Sequence, residues 1–273
     1  MLESWGFEAV LGAAVLARRA YLAGADDARL ADVQRMFDDP KVRAVFCARG
    51  GYGSQRLVPR LDFGALGRAP KPIIGYSDIT ALLGATLRAG VTGVHGPMVA
   101  TDLARGLATP SLDHLRALLT DADYRWEASV PVVIRPGRAN GPLVGGCLSV
   151  LVTTLGTAWA PDTEGAILFL EDVHESPYRI DRLLTHLKQA GRLDKVAGVV
   201  FGTMAGCRTA DGVDALAVVR ECFADAPYPV GFGLAAGHDP APTGIQNLAL
   251  PLGVPVSLDV DAGRLQALEP AVV

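Results

Sequence analysis

The sequence of 273 residues has few cysteines, no excess of basic residues and no long apolar run. The cysteines, Cys47, Cys147, Cys207 and Cys222, are scattered and contain no C-x-x-C pair. Neither a zinc site nor a disulfide framework is therefore indicated. We interpret these residues as reduced thiols of a cytoplasmic protein.

The charge balance excludes further classes of partner. Lys and Arg number 25 against 29 Asp and Glu, which gives a formal net charge of −4 and no general basic field for nucleic acid or an anionic membrane. No apolar stretch is long enough to cross a bilayer, and the first residues do not resemble a signal peptide. Because 50% of the residues are hydrophobic and 20% charged, we expect a folded protein. The lack of a basic field favours a small-molecule or peptide partner.

The first part of the chain, residues 1–120, alternates short apolar runs with helical patterns, which predicts a layered, flavodoxin-like α/β domain. The runs scarcely alternate in polarity, as is typical of parallel strands covered on both faces. Strands are predicted at 8–11, 42–47, 72–74 and 93–95, and helices at 27–37, 78–89 and 111–119.

Residues 121–146 are broken by proline and rich in turn residues, which indicates an interdomain crossover. Residues 147–273 then predict a mixed α/β C-terminal domain with a larger strand share near its end. Its helices are predicted at 147–155, 180–190 and 213–222, its strands at 166–170, 196–201 and 229–231, and extended runs between 246 and 260.

Ser77 follows an apolar strand and precedes a predicted helix. A serine at such a sharp turn exposes its hydroxyl at the carboxyl edge of a sheet, where the helix N-terminus favours negative charge. The segment does not match G-x-S-x-G, so an ordinary N-cap role is the alternative. Ser77 is thus a candidate nucleophile or a helix cap.

A glycine-rich loop follows the strand predicted at 42–47. Gly50, Gly51 and Gly53 allow backbone N–H groups to approach an anion closely. That anion could be a phosphate or the oxyanion of acyl transfer, although the loop lacks the P-loop lysine and fits G-x-G-x-x-G poorly. An ordinary structural turn is the third interpretation.

Glu171 and Asp172 end the apolar strand predicted at 166–170. A carboxylate in such surroundings of low dielectric constant is suited to orienting an imidazole. A metal site and a solvated acidic loop are the alternatives, although the H-E-x-x-H spacing is absent.

Two histidines compete as the general base. His238 lies in a glycine-rich loop, and His95 follows a predicted strand. His114 and His186 fall on predicted helices, where we expect surface or packing roles. A serine, a cradle of amides, a carboxylate and a histidine together are the components of serine acyl transfer.

Six blocks of sequence carry a resemblance to the LD-carboxypeptidases of serine peptidase family S66, which includes the microcin C self-immunity peptidases. The resemblance implies a two-domain α/β enzyme that needs neither a metal nor an organic cofactor. The blocks are ARGGYG at 48–53, IGYSDIT at 74–80, HGPM at 95–98, GGCLS at 145–149, FLEDV with YRIDR at 169–182, and GFG with GH at 231–238.

The same resemblance implies a Ser-Glu-His triad of Ser77 as nucleophile, Glu171 as orienting acid and His238 as general base. The backbone N–H groups of Gly51 and Asp78 are the candidates for the oxyanion hole. The implied substrate is the cytoplasmic murein tetrapeptide of peptidoglycan recycling, which loses its terminal D-alanine, and the implied assembly is a homodimer.

Two expectations qualify this interpretation. By the resemblance, a βα unit of roughly thirty residues would precede the segment that begins near Trp5, so we expect the first βα unit to be missing. A microcin-immunity-like hydrolase of aminoacyl-nucleotide amides and an inactive homologue are the alternative functions. We expect His238→Ala to abolish turnover and His95→Ala to leave substantial activity.

Overall fold

The structure is a computed structural model that describes residues 1–238 and 247–272, in which two sheets are flanked by helices. The strands are β1 Val45–Phe46, β2 Ile73–Gly75, β3 Gly93–His95, β4 Glu127–Ser129, β5 Val132–Arg135, β6 Arg138–Cys147, β7 Ile167–Val173, β8 Gly198–Ala205, β9 Val230–Phe232, β10 Leu250–Leu252, β11 Pro255–Asp259 and β12 Arg264–Ala267. The helices are α1 Asp26–Asp38, α2 Gly64–Arg68, α3 Thr80–Arg88, α4 Thr109–Thr120, α5 Leu148–Thr153, α6 Pro177–Gln189 and α7 Ala215–Cys222.

The N-terminal sheet has the order β1-β2-β3-β10. Its first three strands are parallel, and β10 pairs antiparallel with β3. Since the carboxyl ends of parallel strands share one edge, the loop after β1 lies beside the turn after β2. That arrangement places the glycine-rich loop next to Ser77.

The C-terminal sheet has the order β4-β12-β11-β6-β7-β8-β9-β5, with β6 to β9 parallel and the other pairs antiparallel. Helix α6 buries Ile180, Leu184 and Leu187, a stripe with the spacing of one helix face. The apolar run Ile167–Leu170 is fully buried in β7, and the strand continues into Glu171, which is buried as well. The α/β class and the two-part architecture are therefore confirmed.

One apolar core extends across both sheets. Ile74 and Val94 of the N-terminal sheet belong to the same cluster of buried side chains as Phe169 and Leu258 of the C-terminal sheet. This shared core fixes the carboxyl edge of β2 relative to that of β7. None of the helices in the described ranges is long and apolar enough to cross a membrane.

The predicted helices all occur, with shifted ends, but the strand predicted at 8–11 is wrong. Those residues form no strand, and Val10 and Leu11 are exposed. The crossover interpretation of residues 121–146 also missed β4, β5 and the ten residues of β6. The exact domain boundaries stay a prediction, and β10 returns late in the chain to complete the N-terminal sheet.

Strand β6 is not predicted from the sequence because its glycines are typical of turns. A Cβ at Gly141 would lie 2.2 Å from the carbonyl oxygen of Gly165, and one at Gly145 would lie 1.9 Å from that of Phe169. The glycines are therefore required by close approach of neighbouring backbone within a sheet.

Candidate active site

Ser77 occupies a strained backbone position at the carboxyl edge of the N-terminal sheet. Its φ of 62° lies in the left-handed region, which costs a residue other than glycine about 1–2 kcal/mol. It is the first residue of a 3-10 turn that leads into α3, and the N-caps of the turn and of the helix are Tyr76 and Ile79. The N-cap interpretation is therefore wrong, and the strain points to a chemical role.

The glycine-rich loop after β1 lies directly against Ser77. A Cβ at Gly50 would lie 2.8 Å from the Ser77 Cβ and 3.1 Å from its Oγ, so only glycine fits there. Gly51 and Gly53 have φ values of 112° and 122°, which favour glycine as well. The loop backbone thus forms one wall of the site around the serine hydroxyl.

The side chain of Asp78 anchors this loop. Its carboxylate accepts hydrogen bonds from the N–H groups of Gly53 at 3.2 Å and Ser54 at 2.8 Å, and its carbonyl oxygen accepts one from the Ser54 hydroxyl. The residue after Ser77 therefore holds the loop in place. This role of the Asp78 side chain was not predicted, because contacts that span 25 and 24 residues leave no local pattern in the sequence.

Glu171 and His238 form a close pair. Glu171 is completely buried in β7, and its Oε2 lies 2.8 Å from His238 Nδ1 and accepts the His238 backbone N–H at 3.0 Å. An ionised carboxylate can only accept, so Nδ1 carries the proton and Nε2 is left as the basic nitrogen. The acid thus fixes the position and the tautomer of the imidazole.

The burial of Glu171 and of Asp172 shows that the solvated-loop interpretation of this segment is wrong. The metal interpretation gains no support either, since the described part of the chain contains no group of three or more His, Cys, Asp or Glu placed to hold an ion. Asp172 accepts the Ser149 N–H at 2.8 Å and thereby ties β7 to the start of α5.

Glycine and threonine hold the backbone of the histidine loop. Gly237 has a φ of 108°, and a Cβ there would lie 2.6 Å from Glu171 Oε2. Thr203 on β8 donates its hydroxyl to the His238 carbonyl at 2.6 Å. Strands β7 and β8 therefore position the imidazole through one carboxylate and one hydroxyl.

The surrounding charges tune the imidazole. Burial acts to lower the pKa of His238, but the hydrogen bond and charge of Glu171, together with the charges of Asp172 and Asp102, outweigh it and raise the pKa above its ordinary value. A raised pKa favours proton uptake by this histidine, as a general base requires.

His95 lies beside the site in a different state. It is fully buried between the rings of Tyr76 and Phe169, with ring centroids 5.7 Å and 4.9 Å away. Burial lowers the pKa of His95 to about 3, and neither ring nitrogen has a hydrogen-bond partner among the described residues. A neutral ring enclosed by aromatic side chains is poorly suited to proton transfer with substrate, which favours His238.

The remaining helical histidines have the expected packing and surface positions. His114 is buried, with Nε2 at 2.8 Å from the Ala249 carbonyl and Nδ1 at 3.0 Å from the Tyr124 hydroxyl. His186 is exposed on α6.

The two halves of the site meet directly. The ring of Tyr76, the residue before Ser77, packs edge to face on the His238 imidazole with centroids 4.8 Å apart. Thr80 at the start of α3 accepts the N–H of Cys147 at the end of β6, at 3.1 Å. A strained serine, a paired histidine and buried acid, and a wall of loop amides are thus assembled in one place, an arrangement suited to acyl transfer.

Comparison with known families gives matches over most of the chain. Residues 1–96 match the profile of the LD-carboxypeptidase N-terminal domain, and residues 140–258 match that of the LD-carboxypeptidase C-terminal domain. Both domains occur in the order that the resemblance implied.

Individual relatives agree with these matches. The chain is 42% identical to a putative carboxypeptidase of Streptomyces coelicolor, over 99% of this chain and 87% of that protein. It is 38% identical to the murein tetrapeptide carboxypeptidase of Pseudomonas aeruginosa, over 92% and 84%.

Solved structures share the fold. The crystal structure of a muramoyltetrapeptide carboxypeptidase from Oxalobacter formigenes matches with a TM-score of 0.85 and 32% identity, over 97% of this chain and 89% of that one. The microcin C7 self-immunity protein in complex with aspartyl sulfamoyl adenosine matches with a TM-score of 0.85 at 26% identity, over 100% and 89%.

Proposed function

The chain belongs to the LD-carboxypeptidase family of serine hydrolases, and we propose that it hydrolyses the L,D-peptide bond that releases the terminal D-alanine of a murein tetrapeptide. The observation that carries this proposal is the Glu171–His238 pair at 2.8 Å, adjoining the strained Ser77 through Tyr76. In space, the acid contacts the base, and the base packs on the residue before the nucleophile, which is the arrangement of a serine hydrolase triad.

In the proposed mechanism, Ser77 Oγ attacks the carbonyl carbon of the scissile amide while His238 Nε2 takes the hydroxyl proton. The imidazolium then protonates the departing amine of D-alanine, which leaves an acyl-enzyme for water to hydrolyse. Glu171 keeps the proton on Nδ1 and stabilises the positive charge that His238 acquires. Its burial strengthens this interaction.

We assign the oxyanion hole to the backbone N–H groups of Gly51 and Asp78. The contact between Gly50 and the Ser77 side chain supports this choice, because it brings the Gly50–Gly51 peptide to the serine hydroxyl. The Asp78 carboxylate anchors the other end of the same loop. Loss of one such donor costs about 2.7–4 kcal/mol of transition-state stabilisation in serine proteases.

The names of the relatives support the proposed substrate. A murein peptide appears in the name of the Pseudomonas aeruginosa relative at 38% identity, whereas the microcin C7 self-immunity protein is more distant at 26%. These names favour a murein peptide over the amide bond of an aminoacyl nucleotide analogue. Cytoplasmic action and a homodimeric assembly remain proposals that rest on the resemblance to the family.

Two substrates in parallel test the proposal. Purified protein is incubated with a murein tetrapeptide and with aspartyl sulfamoyl adenosine, and products are identified by mass spectrometry. We expect D-alanine and the tripeptide from the first, with Ser77→Ala inactive. Cleavage of aspartyl sulfamoyl adenosine alone would instead support the microcin-immunity activity. Cleavage of neither substrate by folded protein would contradict both activities.

A further inference from the structure

Another buried carboxylate, that of Asp102, lies beside the proposed triad and has no part in the proposed mechanism. Asp102 is only 6% exposed. It accepts hydrogen bonds from the Met98 N–H at 2.9 Å, the Thr101 hydroxyl at 2.7 Å and the Tyr76 hydroxyl at 3.3 Å. The last of these bonds reaches the residue immediately before Ser77.

The same carboxylate also reaches the histidine loop. The side-chain amide of Asn247, which is completely buried, donates to Asp102 Oδ1 at 3.4 Å. Its oxygen accepts the N–H of Gly237 at 3.0 Å, and Gly237 immediately precedes His238. Asn247 thus links Asp102 to the backbone of the proposed general base.

We propose that Asp102 and Asn247 are positioning residues that keep the His238 imidazole aligned with the Ser77 hydroxyl. One branch of hydrogen bonds runs from Asp102 through Tyr76 to the nucleophile, and the other runs through Asn247 and Gly237 to the base. The assignment rests on the proposed serine hydrolase function and adds two residues to it.

The composition of this network supports a role beyond folding. Among the described residues, Asp102 accepts hydrogen bonds from four donors and none of these is a cation, so neutral donors compensate the burial of its charge there. An apolar side chain would fill such a site at a lower desolvation cost. A carboxylate at the junction of nucleophile and base is explained if their alignment depends on it, since small displacements of reacting groups lower the reaction rate strongly.

The network also acts on the imidazole through charge. Burial lowers the pKa of His238, whereas the charges of Glu171, Asp172 and Asp102 raise it. The neighbouring His95 is kept neutral by burial and therefore adds no charge. Removal of the Asp102 charge therefore lowers the pKa of His238. Because the base must be unprotonated, the acid limb of the activity profile then moves to lower pH.

The test compares Asp102→Asn with Asp259→Asn. Asp259 is a matched buried carboxylate on β11, 5% exposed and paired with Arg138 away from the triad. We expect Asp102→Asn to lower kcat on the order of 10²-fold with KM changed little, and to displace the acid limb to lower pH. We expect Asp259→Asn to leave both kcat and the pH profile unchanged.

Asn247→Leu keeps a similar volume and removes both hydrogen bonds, so it tests the second branch if Asp102→Asn does not fold. We expect it to lower kcat at least 10-fold without the shift in pH profile, because the Asp102 charge remains. Wild-type kcat in a folded Asp102 or Asn247 variant, or equal losses in the Asp102 and Asp259 variants, would overturn the inference.

A fluorophosphonate probe separates this inference from the substrate proposal. The rate at which the probe labels Ser77 reports the alignment of serine and histidine whatever the natural peptide is. Slower labelling of Asp102→Asn than of wild type supports the network even if D-alanine is not released. Equal labelling rates in wild type and Asp102→Asn contradict the network even if D-alanine is released.

Discussion

Ser77 and Glu171 both come from the carboxyl ends of buried parallel strands, yet the two strands hold them differently. Strand β2 has three residues and ends before Ser77, which adopts a φ of 62° outside any ladder. Strand β7 has seven residues, and Glu171 lies within it, opposite Cys147 of β6. The acid is therefore fixed by sheet geometry, and the nucleophile by contacts with the glycine-rich loop.

This difference predicts two kinds of damage. Substitutions on the Glu171 side change the charge and tautomer of His238 and leave the fold in place. Substitutions on the Ser77 side displace the loop or release local strain. Activity, pH dependence and stability distinguish the two kinds of damage.

The largest effect is expected from removal of the reacting groups themselves. Ser77→Ala and His238→Ala are each expected to lower kcat/KM by roughly 10³-fold or more, because neither proton transfer nor attack can then proceed. The measurement is D-alanine release by protein whose circular dichroism matches wild type. His95→Ala is the comparison variant and should retain substantial activity; the reverse ranking of the two histidines would show that the base is misassigned.

Glu171→Gln tests the effect of the Glu171 charge on His238. The amide is similar in size but loses the charge that outweighs the effect of burial and raises the His238 pKa. We expect kcat to fall roughly 10²- to 10⁴-fold and the acid limb of the residual activity to move to lower pH. A profile of kcat against pH measures both, and an acid limb that stays in place would contradict the assigned coupling.

Gly50→Ala disturbs the packing of the glycine-rich loop on Ser77 without altering a catalytic group. Its Cβ would lie 2.8 Å from that of Ser77, so the loop or the serine must move, and we expect kcat to fall on the order of 10²-fold. Gly67→Ala in α2 is the control, since nothing lies within 4 Å of its added Cβ. Equal activity of the two variants would argue against close packing of the loop on Ser77.

The smallest effect concerns stability. Ser77→Gly relieves the left-handed strain, whereas Ser77→Ala retains it, so the glycine variant should have a free energy of unfolding higher by about 1 kcal/mol. Urea denaturation of the two inactive variants measures this difference. A glycine variant that is less stable than the alanine variant would show that strain at this position is unimportant.

Sequence patterns predicted those parts of the molecule that local chemistry determines. The apolar run before Glu171 predicted a buried strand that ends in acid, and the helix predicted at 180–190 occurs as α6. Strand β6 was missed because close backbone approach, rather than a turn, requires its glycines.

The contacts that assemble the site were beyond local patterns. The hydrogen bonds of the Asp78 carboxylate span 25 and 24 residues, and the bond between Asn247 and Asp102 spans 145. No periodicity or motif encodes such pairings. The Asp78 bonds depend on the pairing of β1 with β2, and the Asn247 bond depends on the pairing of β10 with β3. The triad residues themselves were selected through the family blocks, whereas their geometry required the fold.

Covalent labelling by a fluorophosphonate tests the central claim most directly. The probe reacts with a serine hydroxyl that a neighbouring base activates, and peptide mapping by mass spectrometry identifies the labelled residue. We predict a single adduct at Ser77 in wild-type protein, a greatly slowed reaction in His238→Ala, and no adduct in Ser77→Ala. An unlabelled Ser77 in folded wild-type protein, or labelling at another residue, would contradict the account.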